Sequence, residues 1–274
     1  MKRIILLVLL AVNVVAYAQR KPKIKGNRNV VEVREDLQPF NAIQLEDNLE
    51  VYLQEGPTEG YVLEADDNLL EILKFRVADE TLTISSFYNI RSKKKLRITV
   101  LYNRLNRIHI AAGTVLTTEK IRTDGLEVTI SGMGRAELGV DAEMLDVKLE
   151  GNANGDFNME GDSLNIEGRD KSSLKIYAVA ETTTVQMAKN SSAFLEGYSK
   201  DLTIKMREQA SLKAAKMEAN TVTATVEGNT STEIFAVDTL ELNASGASKT
   251  YAYGSGKINL TEFLDTSELY KRKK

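Results

Sequence analysis

LEVTISGMGRAELGVDAEM (126–144), LDVKLEGNANGDFNMEGDS (145–163) and LNIEGRDKSSLKIYAVAET (164–182) are three consecutive stretches of nineteen residues that align without a gap. The same phase continues on both sides. Leu126, Leu145, Leu164, Thr183 and Leu202 stand 19 apart, a one-residue slip then gives Val222, and Leu240 follows 18 later. The third position of each unit holds Val128, Val147, Ile166, Val185, Ile204, Ala224 and Leu242, and the thirteenth holds Leu138, Phe157, Ile176, Leu195, Ala214, Ile234 and Ala252. Both columns are wholly apolar. The ninth is wholly small, with Gly134, Ala153, Ser172, Ser191, Ala210, Thr230 and Ser248, as a turn crowded against its own copies requires. The eighth carries Asn152, Asn190 and Asn229, where Asn tolerates a left-handed backbone and its amide can bond the copy one level away.

Helical repeats need 33 residues or so, and a leucine-rich repeat needs a fixed Leu consensus with an Asn or Cys step, which these units lack. Short parallel strands stacked about 4.8 Å apart explain why one chemistry recurs at one position in every unit. The sequence therefore predicts an all-β fold, a parallel β-helix (β-solenoid) of 19-residue coils over residues 106–256. It is taken as right-handed, because crossovers between parallel strands almost always are. Seven such coils would extend roughly 34 Å.

Working outward, residues 30–105 alternate with period two in runs such as Phe40-Asn-Ala-Ile43, Leu49-Glu-Val51-Tyr-Leu53 and Leu96-Arg-Ile98-Thr-Val100. They read as strands, with one short helix over 68–75 behind Asp66-Asp67. Residues 257–274 read as a C-terminal tail. At the other end, Lys2-Arg3, an apolar run from Ile4 to Val15 and the small-x-small triplet Ala16-Tyr17-Ala18 form a secretory signal over residues 1–18, cleaved before Gln19. The run is too short for a membrane span, and no Cys follows it to carry a lipid. Residues 19–274 then form a single exported domain with no integral membrane segment, located in the periplasm, at the cell surface or outside the cell.

Composition excludes whole classes of chemistry. The 274 residues contain no Cys, which removes disulfide scaffolds, thiol nucleophiles and Cys-type metal centres. The single His109 makes a His-rich metal site or a Ser-His-Asp triad improbable, and its place between Ile108 and Ile110 on an alternating strand points it to solvent. A net charge of −3 and the lack of a basic stripe argue against nucleic-acid binding. The basic runs from Arg91 to Arg97 and Lys271 to Lys274 read as a solvated hairpin and terminus.

The chain also resembles a known family, the auto-transporter adhesin head GIN domain family of exported bacterial proteins. The resemblance spans residues 26–270. It rests on Gly26-Asn-Arg-Asn-Val30, Phe40-Asn-Ala-Ile43, Leu49-Glu-Val51-Tyr-Leu53, Asp66-Asp67-Asn68, Ile130-Ser131-Gly132-Met133-Gly134, Ser245-Gly246-Ala247-Ser248 and Tyr253-Gly254-Ser255-Gly256. It implies a β-helical envelope protein with an adhesive role and carries no catalytic residues. The chain departs from the pattern at Ala111-Ala112-Gly113 and at Asp170 and Lys189, which replace the turn glycine, so those coils are expected to turn differently.

Outward columns bring residues 19 apart together, and any site chemistry must come from there. Glu127 with Asp146, and Glu137 with Asp156, place two carboxylates about one strand spacing apart, as a retaining glycosidase or a calcium site could use. The plainer reading is two solvated ladders, and no catalytic, cofactor or metal residue is assigned. Lys148 above Glu167 and Glu150 above Arg169 read as ion pairs that fix register. Tyr177, Tyr198, Tyr251 and Tyr253 offer flat apolar rings with polar tips, a form suited to sugar rings. These features favour a non-enzymatic, adhesin-like protein whose repetitive faces bind a cell-surface glycan or protein. The rivals are a polysaccharide lyase or glycoside hydrolase on the same fold, and a structural spacer. Even 19-residue spacing leaves no loops to wall a catalytic cleft.

Overall fold

A computed structural model describes residues 21–273; the signal read in residues 1–18 lies outside them. The fold is nearly all β, with 68% of residues in strands wound into a β-solenoid of about nine turns and about 19 residues per coil. Two ladders of parallel strands make its faces. The first ladder stacks residues 126–130, 144–149, 163–168, 182–187, 201–206, 221–226 and 239–244. The second stacks 135–141, 154–160, 173–179, 192–199, 211–219, 231–235 and 249–253. Each predicted column is a physical row: Val128, Val147, Ile166, Val185, Ile204, Ala224 and Leu242 pair in register, and none exceeds 2% exposure. Burying each larger side chain of this row contributes roughly 1.5–3 kcal/mol. The extra residue between Leu202 and Val222 is absorbed as a bulge, where Phe194 pairs Lys213 but Glu196 pairs Lys216.

The turns differ in detail from the sequence reading. The left-handed residue sits at the seventh position, one before the asparagines: Gly132 has φ 58°, Gly151 78°, Asp170 60°, Lys189 60° and Glu208 62°. Asp170 and Lys189 therefore turn as their glycine neighbours do, contrary to expectation. Close approach of the coil below also favours glycine at the first of these positions, since a Cβ on Gly132 would lie 2.8 Å from the carbonyl oxygen of Ala111. The Asp170 carboxylate accepts from Lys189 Nζ at 2.6 Å and from the Gly151 N–H at 3.3 Å, which offsets part of the strain. Asn152 and Asn190 reach the next coil with backbone N–H groups, donating to Gly132 and Asp170 carbonyls at 2.8 and 2.9 Å.

The solenoid also runs past both limits read from the sequence. Ala42–Leu45 pairs in parallel with Arg107–Ile110 above it and with Thr81–Ser86 below it, while Glu50–Glu55 lies between Thr114–Thr117 and Leu96–Tyr102. The chain thus builds one coil, inserts a second beneath it, and climbs back over the first. No fixed period survives such a detour. Beneath these coils the strands become antiparallel, with Gly60–Asp66 between Val30–Asp36 and Leu96–Tyr102, and Leu73–Ala78 against Thr81–Ser86. The helix expected over 68–75 is a 3-10 turn, Asp67–Ile72, after which Leu73 enters a strand. Residues 257–271 are no tail: Lys257–Phe263 and Glu268–Lys271 continue the first and second ladders.

Two quoted motifs meet in the N-terminal cap. The buried Asp66 carboxylate accepts backbone N–H groups of Arg28, Lys94 and Lys95 at 3.2, 3.0 and 3.2 Å. Asn27 and Asn29 donate side-chain amides to Asp67, and Asn68 donates to the Lys25 carbonyl at 2.9 Å. Position 26 must be glycine, because a Cβ there would stand 1.9 Å from an Asp66 oxygen. Burial pushes the Asp66 carboxyl up, but its three backbone donors outweigh this and hold it below the ordinary value.

Candidate functional site

The first face is polar and mixed in charge. Glu127 and Asp146 are register neighbours, as their spacing requires. Glu127 lies 3.2 Å from Lys148 Nζ and 3.6 Å from Arg107 Nε, and Asp146 accepts from the Asn165 amide at 2.7 Å. Lys148 thus reaches Glu127 rather than Glu167, and Arg169 pairs with Glu167 of its own coil rather than with Glu150. Flexible side chains choose diagonal partners that column order alone does not specify. A shallow groove of about 180 Å³ crosses this face between Lys148, Glu150, Glu167 and Arg169. His109 stands on it half-buried, between the fully buried Ile108 and Ile110.

On the second face, Glu137 and Asp156 are also neighbours, with Lys175 lying 3.6 Å from Asp156. Farther along the same column come Phe194, Lys213, Glu233, Tyr251 and Tyr270, in register coil by coil. The four predicted tyrosines divide into two clusters on this face. Tyr177 and Tyr198 flank Val179, which pairs in register with Tyr198, and these three side chains are 50, 38 and 40% exposed. The Tyr198 hydroxyl lies 3.4 Å from Asn220 Oδ1.

Tyr251 and Tyr253 form the second cluster together with Tyr270, Arg272 and Glu233. The rings of Tyr251 and Tyr270 stack at 5.2 Å with 13° between their planes, and the Arg272 guanidinium lies 5.3 and 5.4 Å from their centroids. Glu233, Tyr251, Tyr253, Arg272 and Lys273 line an open cavity of about 270 Å³. The Tyr270 hydroxyl donates to Glu268 at 2.6 Å, which holds that carboxyl below its ordinary range and pushes the phenol up. The arrangement presents aromatic faces, a carboxylate and a guanidinium within one concavity. Such a set can stack on an apolar ring face while bonding the hydroxyls at its edge. Tyr270 and Arg272 escaped the sequence reading because 257–274 was read as a tail; the signal was available, since Tyr270 follows Tyr251 by 19 and Ile258 follows Leu240 by 18.

Among the described residues, no group of three or more His, Asp or Glu side chains could hold a metal ion, and no helix is long and apolar enough to cross a membrane. The family model described as "Putative auto-transporter adhesin, head GIN domain" matches residues 39–167 and 150–256, well over half of the chain. The protein belongs to this family. Three solved structures share the head GIN protein's fold. Two are described as a "putative adhesin", from Parabacteroides distasonis (TM-score 0.68) and Parabacteroides merdae (TM-score 0.65). The third, also from Parabacteroides distasonis, is described as a "putative lipid binding protein" (TM-score 0.64). Each is 16% identical in sequence, and each alignment covers 91% of this chain and 100% of the other. No curated protein matches the chain at a significant level.

Proposed function

We propose that this head GIN protein is an exported, non-enzymatic adhesin that binds a cell-surface glycan through its second face. The observation that carries the reading is the Tyr251–Tyr270 stack beside Glu233 and Arg272, backed by the exposed Tyr177 and Tyr198 nearer the middle of the same ladder. Sites repeated along one rigid face let weak contacts add over an extended polymer. Membership of the adhesin family supports a surface role, and the short apolar run ahead of Gln19 supplies a route of export. A glycan array and titration calorimetry test the binding. Tyr251→Ala is expected to weaken binding of the selected glycan at least about fivefold, since an aromatic contact is worth about 1 kcal/mol beyond its buried area. Binding that survives in Tyr251→Ala and Tyr177→Ala, or an array on which only a protein ligand is retained, would refute the glycan reading.

Catalysis has weak support on this surface. Glu127 lies beside Lys148 and Arg107 and Asp146 accepts from the Asn165 amide, so both carboxylates already have partners on a polar face. Plant, host and bacterial polysaccharides incubated with the protein, with and without calcium, are expected to release no reducing ends or unsaturated products. Turnover lost in Glu127→Asn with Asp146→Ser reinstates the hydrolase or lyase.

A further inference from the structure

The two ends of the solenoid are built differently. At the N-terminal end the parallel ladders stop against antiparallel strands, and the turn Asp67–Ile72 supplies buried Leu69 and Ile72 to the core. Charged side chains stud these closing strands, with Glu32, Arg34, Glu35 and Asp36 on one and Lys74 and Arg76 on the other, a usual defence against edge pairing. Among the described residues, the C-terminal end has no such cover. Leu260 continues the interior row of Leu242, yet Leu242 is 0% exposed and Leu260 50%. Leu264 is 54% exposed, and Ile258 and Leu269 are half-buried.

The last strand is complementary to itself. Backbone N–H groups of Glu268 and Arg272 donate to the Ser248 and Ala252 carbonyls, both at 2.8 Å. Alternation along the strand then turns the N–H and C=O of Leu269 and Lys271 toward the open edge. If a second copy approaches antiparallel about an axis through Tyr270, Leu269 of each chain faces Lys271 of the other as a hydrogen-bonded pair. That register closes four backbone bonds. It also sets Glu268 opposite Arg272 twice, on the outward face where Arg272 already lies over the Tyr270 ring. Shifting the register by two residues, to an axis through Leu269 or Lys271, loses the Glu268–Arg272 pairing.

We propose that the open end is closed in solution by the same end of a second copy, in a two-fold, tail-to-tail dimer centred on Tyr270. Because the other end of the solenoid is antiparallel and charged, the contact closes on itself and does not propagate into a fibre. The dimer joins the two Tyr251–Tyr270 clusters across the axis into one aromatic strip, but its existence does not depend on what that strip binds.

Sedimentation equilibrium of the purified protein at ~1–100 μM tests it, with glycan binding measured separately so that either reading can fail alone. The expected result is a mass twice that of one chain. Glu268→Arg and Arg272→Glu each place like charges across the axis and are expected to be monomeric, and mixing the two is expected to restore a heterodimer. Circular dichroism verifies that each variant is folded. Tyr270→Cys, the only thiol in the chain, is expected to form an interchain disulfide on mild oxidation, because facing residues in a non-hydrogen-bonded antiparallel pair lie ~4.5 Å apart at Cα. A protein that stays monomeric throughout the range, a dimer indifferent to both charge reversals, or single variants that fail to associate when mixed would each overturn the proposal.

Discussion

Ile166 shows how a single residue serves the whole stack. It lies between Val147 and Val185 in register and is 2% exposed. Ile166→Val is expected to cost about 0.5–1.5 kcal/mol in a denaturant titration. Ile166→Asp buries an unpaired carboxylate between apolar rows and is expected to abolish the cooperative transition altogether. A folded Ile166→Asp protein with an unchanged midpoint would contradict the interior placement. The seventh-position turn offers a subtler contrast. Glu208 holds a left-handed φ of 62°, which costs a side-chain-bearing residue about 1–2 kcal/mol, so Glu208→Gly is expected to raise stability by about 1 kcal/mol. Asp170→Gly relieves similar backbone strain but removes the acceptor of Lys189 and Gly151, so its midpoint is expected to rise less than that of Glu208→Gly. Equal gains would mean that the Asp170 contacts contribute nothing. The interior rows were legible because apolar residues recur at a fixed spacing. The turn falls one position earlier than Asn suggests, because Asn tolerates a left-handed backbone without requiring it, and here the residue before it adopts that conformation.

At the scale of the element, the N-terminal clasp joins residues that are about 40 positions apart, and periodicity carries no information about such a contact. Gly26-Asn-Arg-Asn and Asp66-Asp67-Asn68 were visible as separate motifs; that each completes the other's hydrogen bonds was not. The clasp has a predictable pH dependence. The Asp66 and Asp67 carboxyls are held below their ordinary 3.8, Asp66 by three backbone donors working against burial and Asp67 by the amides of Asn29 and Asn27. The unfolded chain therefore takes up protons first as the pH falls. The stabilisation is complete above 3.8 and is lost as the pH drops through the lowered folded-state values. Hydrogen exchange in residues 21–36 and 89–95 is expected to accelerate below that pH before exchange in the central coils does. Asp66→Asn is expected to produce the same local loosening at neutral pH. Uniform loss of protection along the chain on acidification would show that the clasp is not the acid-sensitive element.

Over the whole molecule, the solenoid behaves as a one-dimensional stack in which each coil is stabilised by its neighbours. The period located the central coils but not the ends, because a repeat is detectable only while the chain advances by one level per turn. The coil inserted below Ala42–Leu45 breaks that rule, and the last coil lost its inward-facing pattern to bulging at Thr261, where Asn243 pairs Glu262. Nearest-neighbour coupling makes a final prediction about order of opening. A central strand such as 163–168 has a neighbour on either side and an apolar row through it, whereas Lys257–Phe263 has a ladder neighbour on one side only. Backbone amides of residues 145–244 are therefore expected to exchange only through near-global unfolding, and those of 257–271 through local fraying. Hydrogen exchange followed by mass spectrometry measures both. At low protein concentration the terminal coil is expected to lose protection first, and rising concentration is expected to restore it without altering the centre, because a second copy adds a neighbour at that end alone. Protection that is uniform from 145 to 271 at every concentration would mean that the C-terminal end is covered by some other part of the chain.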